Sequence, residues 1–134
     1  MTLLLNLIKL FHYLNDLFLG FYIFIFTTNK YDIYYSLYFL LIVLHWNFFK
    51  NECILSYLEK KISNKNYQLG DNPYYLPYRK NNKIFFYIID FLKYLNLIII
   101  MIRNINNSKI LLINIINIII HIMYKLNNFK KFFF

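Results

Sequence analysis

The chain has 134 residues and a formal net charge of +9. Its composition is 60% hydrophobic and 22% aromatic, whereas soluble domains contain roughly 45–50% apolar residues. A water-soluble chain of this length could not bury so much apolar surface, so the composition excludes a soluble globular protein. We therefore expect residues 1–134 to form a single membrane domain whose main partner is the lipid bilayer.

The first apolar segment shows no sign of a cleaved signal peptide, because no basic region precedes it and no small-residue cleavage site follows it. Three further segments resemble it in length and composition. The four predicted membrane spans cover approximately residues 3–26, 33–49, 84–102 and 110–126. Each approaches the ~20 residues that a helix needs to cross a bilayer, and backbone groups in lipid must be satisfied within their own helix. The predicted fold class is therefore all-α, an integral membrane four-helix bundle with short turns.

Residues 50–83 form the one longer connection, a central loop that holds Gly70 and both prolines, Pro73 and Pro77. We expect its first part to extend the second helix to about Ile62 as an amphipathic segment on the membrane surface. The apolar residues of this extension would face lipid: Ile54, Leu55, Leu58 and Ile62.

The basic residues are distributed unevenly around the predicted spans, and this asymmetry explains most of the positive charge. Ten lie in the central loop and the C-terminal end: Lys50, Lys60, Lys61, Lys65, Arg79, Lys80, Lys83, Lys125, Lys130 and Lys131. Three lie in the other two turns, at Lys30, Arg103 and Lys109. With four spans, the positive-inside rule places the central loop and both termini in the cytoplasm. No RNA-binding motif accompanies the charge, so nucleic acid is not an expected partner.

Every predicted span carries polar side chains along one edge. The predicted intramembrane polar residues are His12, Asp16, Asp90, Lys93, Asn114, Asn117 and His121. His12 and Asp16 lie one turn apart, a spacing that allows a hydrogen bond between them. Two charge pairs are predicted within single helices, Lys9 with Asp16 and Asp90 with Lys93. Such edges favour interhelical hydrogen bonds within the bundle, or homo- or hetero-oligomerisation through polar faces.

The most distinctive segment spans residues 45–61 and contains the only tryptophan and the only cysteine of the chain. Its candidate functional residues are His45, Trp46, Cys53, Ser56 and Glu59. On one continuous helix, His45, Glu52, Ser56 and Glu59 would share a stripe ~60° wide. Trp46 is typical of a residue at the membrane interface.

This segment resembles a pattern found in an uncharacterised family of small four-helix membrane proteins from large DNA viruses, with related bacterial forms. The pattern is His-Trp, six residues, Cys-x-Leu-Ser/Thr, two residues and Glu-Lys. The matching residues are His45, Trp46, Cys53, Leu55, Ser56, Glu59 and Lys60. The resemblance implies the four-span architecture and a viral-like origin, and it implies no activity.

Three functions compete at this point. A structural or assembly role in a membrane is favoured, because no complete active-site motif is present. The first alternative is an ion- or solute-conducting subunit whose polar edges converge on a wet interior. The second is an enzyme that acts on lipid through His45, Cys53 and Glu52. On one helix His45 and Cys53 would be about 12 Å apart and could not touch, although a histidine from another span could approach.

The chain also offers candidate ligands for a metal ion. His12, His45, Cys53 and Glu52 are suitable metal ligands by residue type, but their spacing predicts no coordination geometry. The sequence therefore assigns no catalytic residue, no metal and no cofactor.

Overall fold

The computed structural model describes residues 2–133, and the side chains of residues 2–128. The described residues form five α-helices and no β-strand, which confirms the predicted all-α class. The helices are α1 (Thr2–Ile25), α2 (Asp32–Phe48), α3 (Ile54–Ser63), α4 (Lys83–Arg103) and α5 (Ser108–Phe133). The side chains of Lys130 and Lys131, which contribute to the predicted charge asymmetry, lie outside the described ones.

Three helices are long and apolar enough to cross a membrane, as expected of a membrane protein: α1, α4 and residues 108–128 of α5. The remaining long helix, α2, has 17 residues and a length of about 25 Å. Three of the four predicted spans therefore have helices of sufficient length.

The predicted extension of the second helix to Ile62 is wrong, because the chain reverses direction after Phe48. Lys50 and Asn51 both adopt positive φ angles, 51° and 62°, a left-handed conformation that ends a helix. The Asn51 amide donates to the Trp46 carbonyl at 2.7 Å and so closes the turn. The next ten residues form the separate helix α3.

Helix α3 is amphipathic, and its polar face lies against the protein. Ser56, Glu59 and Lys60 are buried, whereas Leu58 is exposed as predicted. Ile54, Leu55 and Ile62, which were also predicted to face lipid, are half-buried. The helix therefore presents Glu59 to α1 and Ser56 and Lys60 to the central loop.

The bundle is built from two helix pairs, α1 with α4 and α2 with α5. Gly20 permits the close approach of α1 to α4, because a Cβ there would lie 3.1 Å from a methyl group of Ile89. Helices α1 and α2 instead meet through large aromatic rings, such as Tyr22 and Tyr35, whose ring centres are 4.2 Å apart. This difference in spacing leaves room between α1 and α2 away from their shared turn.

One buried carboxylate joins the two short turns at the end of the bundle opposite the central loop. Asp32, at the start of α2, accepts hydrogen bonds from Arg103 Nε and Asn104 Nδ2, each at 2.6 Å. It also accepts one from the Tyr22 hydroxyl at 3.0 Å. Asp32 is fully buried, so its charge depends on these donors for compensation.

We expect Asp32→Asn to destabilise the folded protein by about 3 kcal/mol, because it leaves the Arg103 guanidinium half-buried without a counter-charge. The purified protein is unfolded in mixed micelles by raising the fraction of a denaturing detergent, and the loss of helix is monitored by circular dichroism. Asp71→Asn, which changes an exposed carboxylate in the central loop, is the matched control and should have little effect. Equal shifts of the unfolding midpoint in the two variants would show that the hydrogen bonds of Asp32 do not stabilise the bundle.

Candidate functional site

A cysteine, a histidine and a glutamate from distant parts of the chain meet beside the N-terminal half of α1. His12 Nε2 lies 3.5 Å from the Cys53 sulfur. His12 Nδ1 lies 3.1 Å from Glu59 Oε1. With the Nδ1 hydrogen donated to the carboxylate, Nε2 is free to accept the thiol proton. This order of nucleophile, base and orienting carboxylate is the geometry of an activated nucleophile.

The reversal after α2 positions the three residues. It ends with Cys53 as the residue that precedes the first turn of α3. His45, in the last turn of α2, accepts a hydrogen bond from the Ile54 amide at 3.1 Å and so holds the start of α3 in place. Glu59 lies six residues further along α3 and faces α1. His45 therefore positions the start of α3. The histidine from another span that approaches Cys53 is His12.

The surroundings of Cys53 favour the thiolate, which is the reactive form of cysteine. Burial alone would raise the pKa of the Cys53 thiol. The hydrogen bond and positive charge of His12, together with hydrogen bonds from the backbone of Ser56 and Leu55 at the N-terminus of α3, lower the pKa below its ordinary value. Cys53 is half-buried and lines the cavity described below.

A second buried cluster, one helical turn from His12, is centred on Asp16. Asp16 accepts hydrogen bonds from Arg79 Nη2 at 2.6 Å, from the Tyr78 hydroxyl and from Lys93 Nζ. Arg79 also forms two bonds to Asp90, at 2.8 and 3.0 Å. The network ties α1, α4 and the central loop together.

This network corrects two predicted pairs. Asp16 bonds neither His12 nor Lys9, because Arg79 and Lys93 occupy its oxygens. The predicted Asp90–Lys93 pair does form, at 3.3 Å, but Lys93 also bonds Asp16 across the interface between α1 and α4. Charges that would have been balanced within one helix are therefore balanced between helices.

Glu52, predicted as a catalytic partner of Cys53, instead organises the central loop. It accepts bonds from Lys60 Nζ at 2.7 Å, the Tyr67 hydroxyl at 2.6 Å and the Gly70 amide at 2.8 Å. Gly70 has a φ of +91°, and a Cβ there would lie 3.0 Å from the Lys50 side chain. The loop therefore folds back on the reversal and fixes the position of α3.

A cavity of about 660 Å³ opens beside Cys53, a volume typical of small-molecule sites. Its walls come from α1, α2, α4, α5 and the central loop. They include His12, Cys53, Trp46 and His121, together with apolar side chains such as Leu19 and Phe39. The activated thiol therefore faces an internal space large enough for a ligand.

Of the other predicted site residues, Trp46 and His121 line this cavity, whereas Ser56, Asn114 and Asn117 bond backbone carbonyls elsewhere in the bundle. Ser56 donates to the Tyr75 carbonyl at 3.1 Å and holds the loop on α3. Asn117 donates to the Ser36 carbonyl at 2.9 Å and joins α5 to α2, whereas Asn114 bonds the Ile110 carbonyl of its own helix at 3.0 Å. The His121 ring stacks on Tyr94, with ring centres 4.9 Å apart. The Trp46 ring lies 4.8 Å from that of Tyr124.

Sequence reasoning missed three residues whose side chains bond other parts of the bundle. Tyr78 was not singled out, and Arg79 was counted only for topology; both cover Asp16. Asn96 donates to the Leu19 and Gly20 carbonyls, at 2.6 and 2.9 Å. A charge count over the spans could have indicated Arg79, because Asp16 and Asp90 together need more positive charge than Lys93 supplies.

Comparisons with known proteins give no relatives: no protein-family model matches the chain, and no curated protein or solved structure is significantly similar to it. The resemblance of residues 45–60 to a family of four-helix membrane proteins therefore stays a prediction. Within residues 2–133, no group of three His, Cys, Asp or Glu side chains is arranged to hold a metal ion.

Alkylation of Cys53 by iodoacetamide should depend on His12. In the wild type, the rate should reach half its maximum at a pH below that of an ordinary thiol, because the thiolate is stabilised. His12→Gln removes this stabilisation and leaves the effect of burial, so the profile should move to higher pH. We expect the rate at pH 7 to fall at least about tenfold, which corresponds to one pKa unit.

The control is His121→Gln, which changes a second buried histidine of the same cavity that does not contact Cys53. Mass spectrometry of the single cysteine gives the rates directly. Superimposable profiles for the wild type and His12→Gln would show that His12 does not activate the thiol.

Proposed function

We propose that this protein is a membrane-embedded enzyme that transfers acyl groups through a covalent thioester on Cys53. The observation that supports the proposal is the position of His12, with one ring nitrogen 3.5 Å from the Cys53 sulfur and the other 3.1 Å from Glu59. Its substrates are esters or thioesters with apolar acyl chains, because the cavity beside the sulfur is lined largely by apolar side chains.

The first half-reaction forms the acyl-enzyme. The Cys53 thiolate attacks the carbonyl carbon of the substrate, and a carbon–sulfur bond forms. The bond from that carbon to the leaving oxygen or sulfur breaks, and protonated His12 gives its Nε2 proton to the departing alcohol or thiol. Glu59 is a positioning residue, since it holds the His12 ring and stabilises the imidazolium before the proton is released.

The second half-reaction restores the enzyme. An acceptor alcohol, or water, loses its proton to His12 Nε2 as its oxygen attacks the thioester carbon. The carbon–sulfur bond breaks, the new ester or acid leaves, and the Cys53 thiolate is regenerated beside protonated His12. No external oxidant or reductant is required, because each step exchanges one acyl–heteroatom bond for another.

Acyl-enzyme formation can be tested with an alkynyl fatty acyl thioester added to the purified protein in micelles. Fluorescent labelling through the alkyne should appear on the wild type and disappear after neutral hydroxylamine, which cleaves thioesters. Cys53→Ser should carry no hydroxylamine-sensitive label. His12→Gln should acylate at least ~100-fold more slowly, because general acid–base catalysis contributes about that much.

Two controls separate catalysis from spontaneous acylation of a thiol. Denatured wild type offers the same cysteine without the site and should label at the rate of His12→Gln. Asp71→Asn, which changes an exposed carboxylate outside the site, should be labelled at the same rate as the wild type. If denatured and native protein were acylated equally fast, the proposed enzyme would have to be abandoned.

A structural or assembly role is the second candidate, and one observation favours it. Asp16, Asp90, Arg79 and Lys93 are paired with one another across three parts of the chain. Such a network stabilises a bundle, and its paired charges favour a structural role over conduction of ions. If this candidate is right, we expect Cys53→Ser to leave the stability and the oligomeric state of the folded protein unchanged.

We also propose that α2 completes a four-span topology with the central loop and both termini on the cytoplasmic side. The contacts of His12 with Cys53 and of Tyr124 with Tyr74 support this arrangement, since they gather the start of α1 and the end of α5 at the loop end. Asp32 and Arg103 join the two short turns at the other end. The excess of basic residues at the loop end supports the cytoplasmic assignment.

Single cysteines in a Cys53→Ala background test this topology with a membrane-impermeant maleimide applied to intact cells. Lys30→Cys, in the first turn, should be labelled. Thr2→Cys and Lys65→Cys should react only after the membrane is permeabilised. Labelling of Lys30→Cys and Lys65→Cys from the same side would contradict a crossing by α2.

A further inference from the structure

The cavity beside Cys53 is lined in part by exposed apolar side chains of the predicted spans. Three residues on its rim are strongly exposed: Phe11 on α1 at 60%, Leu41 on α2 at 66% and Tyr87 on α4 at 70%. All three are large and apolar, and all belong to helices of the bundle. An opening with such a rim suits a hydrocarbon chain that arrives from within the bilayer.

The cavity also carries an excess of positive charge. Five of its lining residues are cationic, namely Arg79, Lys80, Lys83, Lys93 and Lys125, against the two carboxylates of Asp16 and Asp90. Arg79 and Lys93 are neutralised by those carboxylates, and Lys125 lies 3.6 Å from Asp90. Lys80 and Lys83 have no ion-pair partner among the residues that the structure describes.

From these two features we infer that the cavity binds an anionic phospholipid of the bilayer, with an acyl chain inside and the headgroup phosphate on Lys80 and Lys83. The inference rests on the proposed function in one respect, since it identifies this lipid as the acyl donor. The arrangement follows the chemistry of the walls: apolar side chains hold the chain, Cys53 faces the ester region, and exposed lysines meet the phosphate. Basic residues at a membrane surface attract anionic lipid in this way.

Trp46 makes the inference directly measurable, because it lines the cavity and is the only tryptophan of the chain. Cys53→Ala protein, which cannot form a thioester, is reconstituted in phosphatidylcholine vesicles. A minor fraction of lipid with brominated acyl chains is then added, as either phosphatidylglycerol or phosphatidylcholine, and quenching of Trp46 fluorescence is recorded. We expect the anionic lipid to quench at lower mole fraction, by about fivefold for each lysine that contacts the phosphate.

Two double variants test whether the preference for the anionic lipid arises at this site. In Lys80→Gln/Lys83→Gln, the two lipids should quench Trp46 equally. In Lys30→Gln/Lys109→Gln, which removes the same charge from the opposite end of the bundle, the anionic lipid should still quench at the lower mole fraction. Soluble glycerol phosphate should not compete, because it lacks the chain that fills the cavity; competition at equal concentration would assign the site to a free phosphate compound.

Equal quenching by the two lipids in the Cys53→Ala protein would overturn the inference. Because that protein lacks the proposed nucleophile, the result is independent of acyl transfer through Cys53. Selective quenching together with failure of Cys53 acylation would remove the proposed enzyme and leave a lipid-binding protein. Acylation without selective quenching would leave the enzyme and remove the anionic lipid as its donor.

Discussion

The geometry of this protein depends on the buried carboxylate of Asp16. It lies on α1 and takes hydrogen bonds from Arg79 and Tyr78 of the central loop and from Lys93 of α4. Removing a charge of this kind from water is expensive unless every oxygen is paired, so the loop must return to the bundle to supply the pairing. The return of the loop encloses the end of the bundle where α3 lies against α1, and the cavity forms beneath it.

The next turn of α1 shows the consequence. His12 lies four residues before Asp16, so the two side chains share one face of the helix. The oxygens of Asp16 are bonded to α4 and the loop, so His12 does not bond Asp16 and contacts α3 instead. Its two ring nitrogens lie within hydrogen-bond distance of Cys53 and Glu59. A structural charge cluster and a reactive thiol cluster are therefore built side by side from one helix.

Much of this architecture could be predicted from the sequence. Apolar runs of the right length indicated the helices, and polar residues on one edge indicated the interior face, where His12, Asp16, Asn117 and His121 are buried. The reversal after α2 was missed, since no glycine or proline marks it and a left-handed conformation is uncommon for a lysine; Asn51, a residue type that adopts this conformation more readily, was the one signal available. That turn separates the predicted stripe of His45 and Glu59 onto two helices with different tasks.

The site itself could be predicted only in part, for a related reason. Spacing along the chain limits which residues of one helix can touch, and it excluded contact between His45 and Cys53. It does not say which residue of another helix completes the pair, because 41 residues separate His12 from Cys53. The partner of Asp16 was equally hidden, since Arg79 belongs to a loop whose position depends on Glu52, Lys60 and Gly70.

The unusual composition of the chain accounts for the cavity. The chain has no alanine and two glycines, so its helices meet mostly through large side chains, which keep the backbones apart. Gly20 is the exception, and there α1 lies close against α4 through Ile89. On the other side of α1, rings such as Tyr22, Tyr35 and Phe18 separate it from α2. Because α1 lies close to α4 and is held apart from α2, an open space remains between α1 and α2. The reversal after α2 places Cys53 at that space.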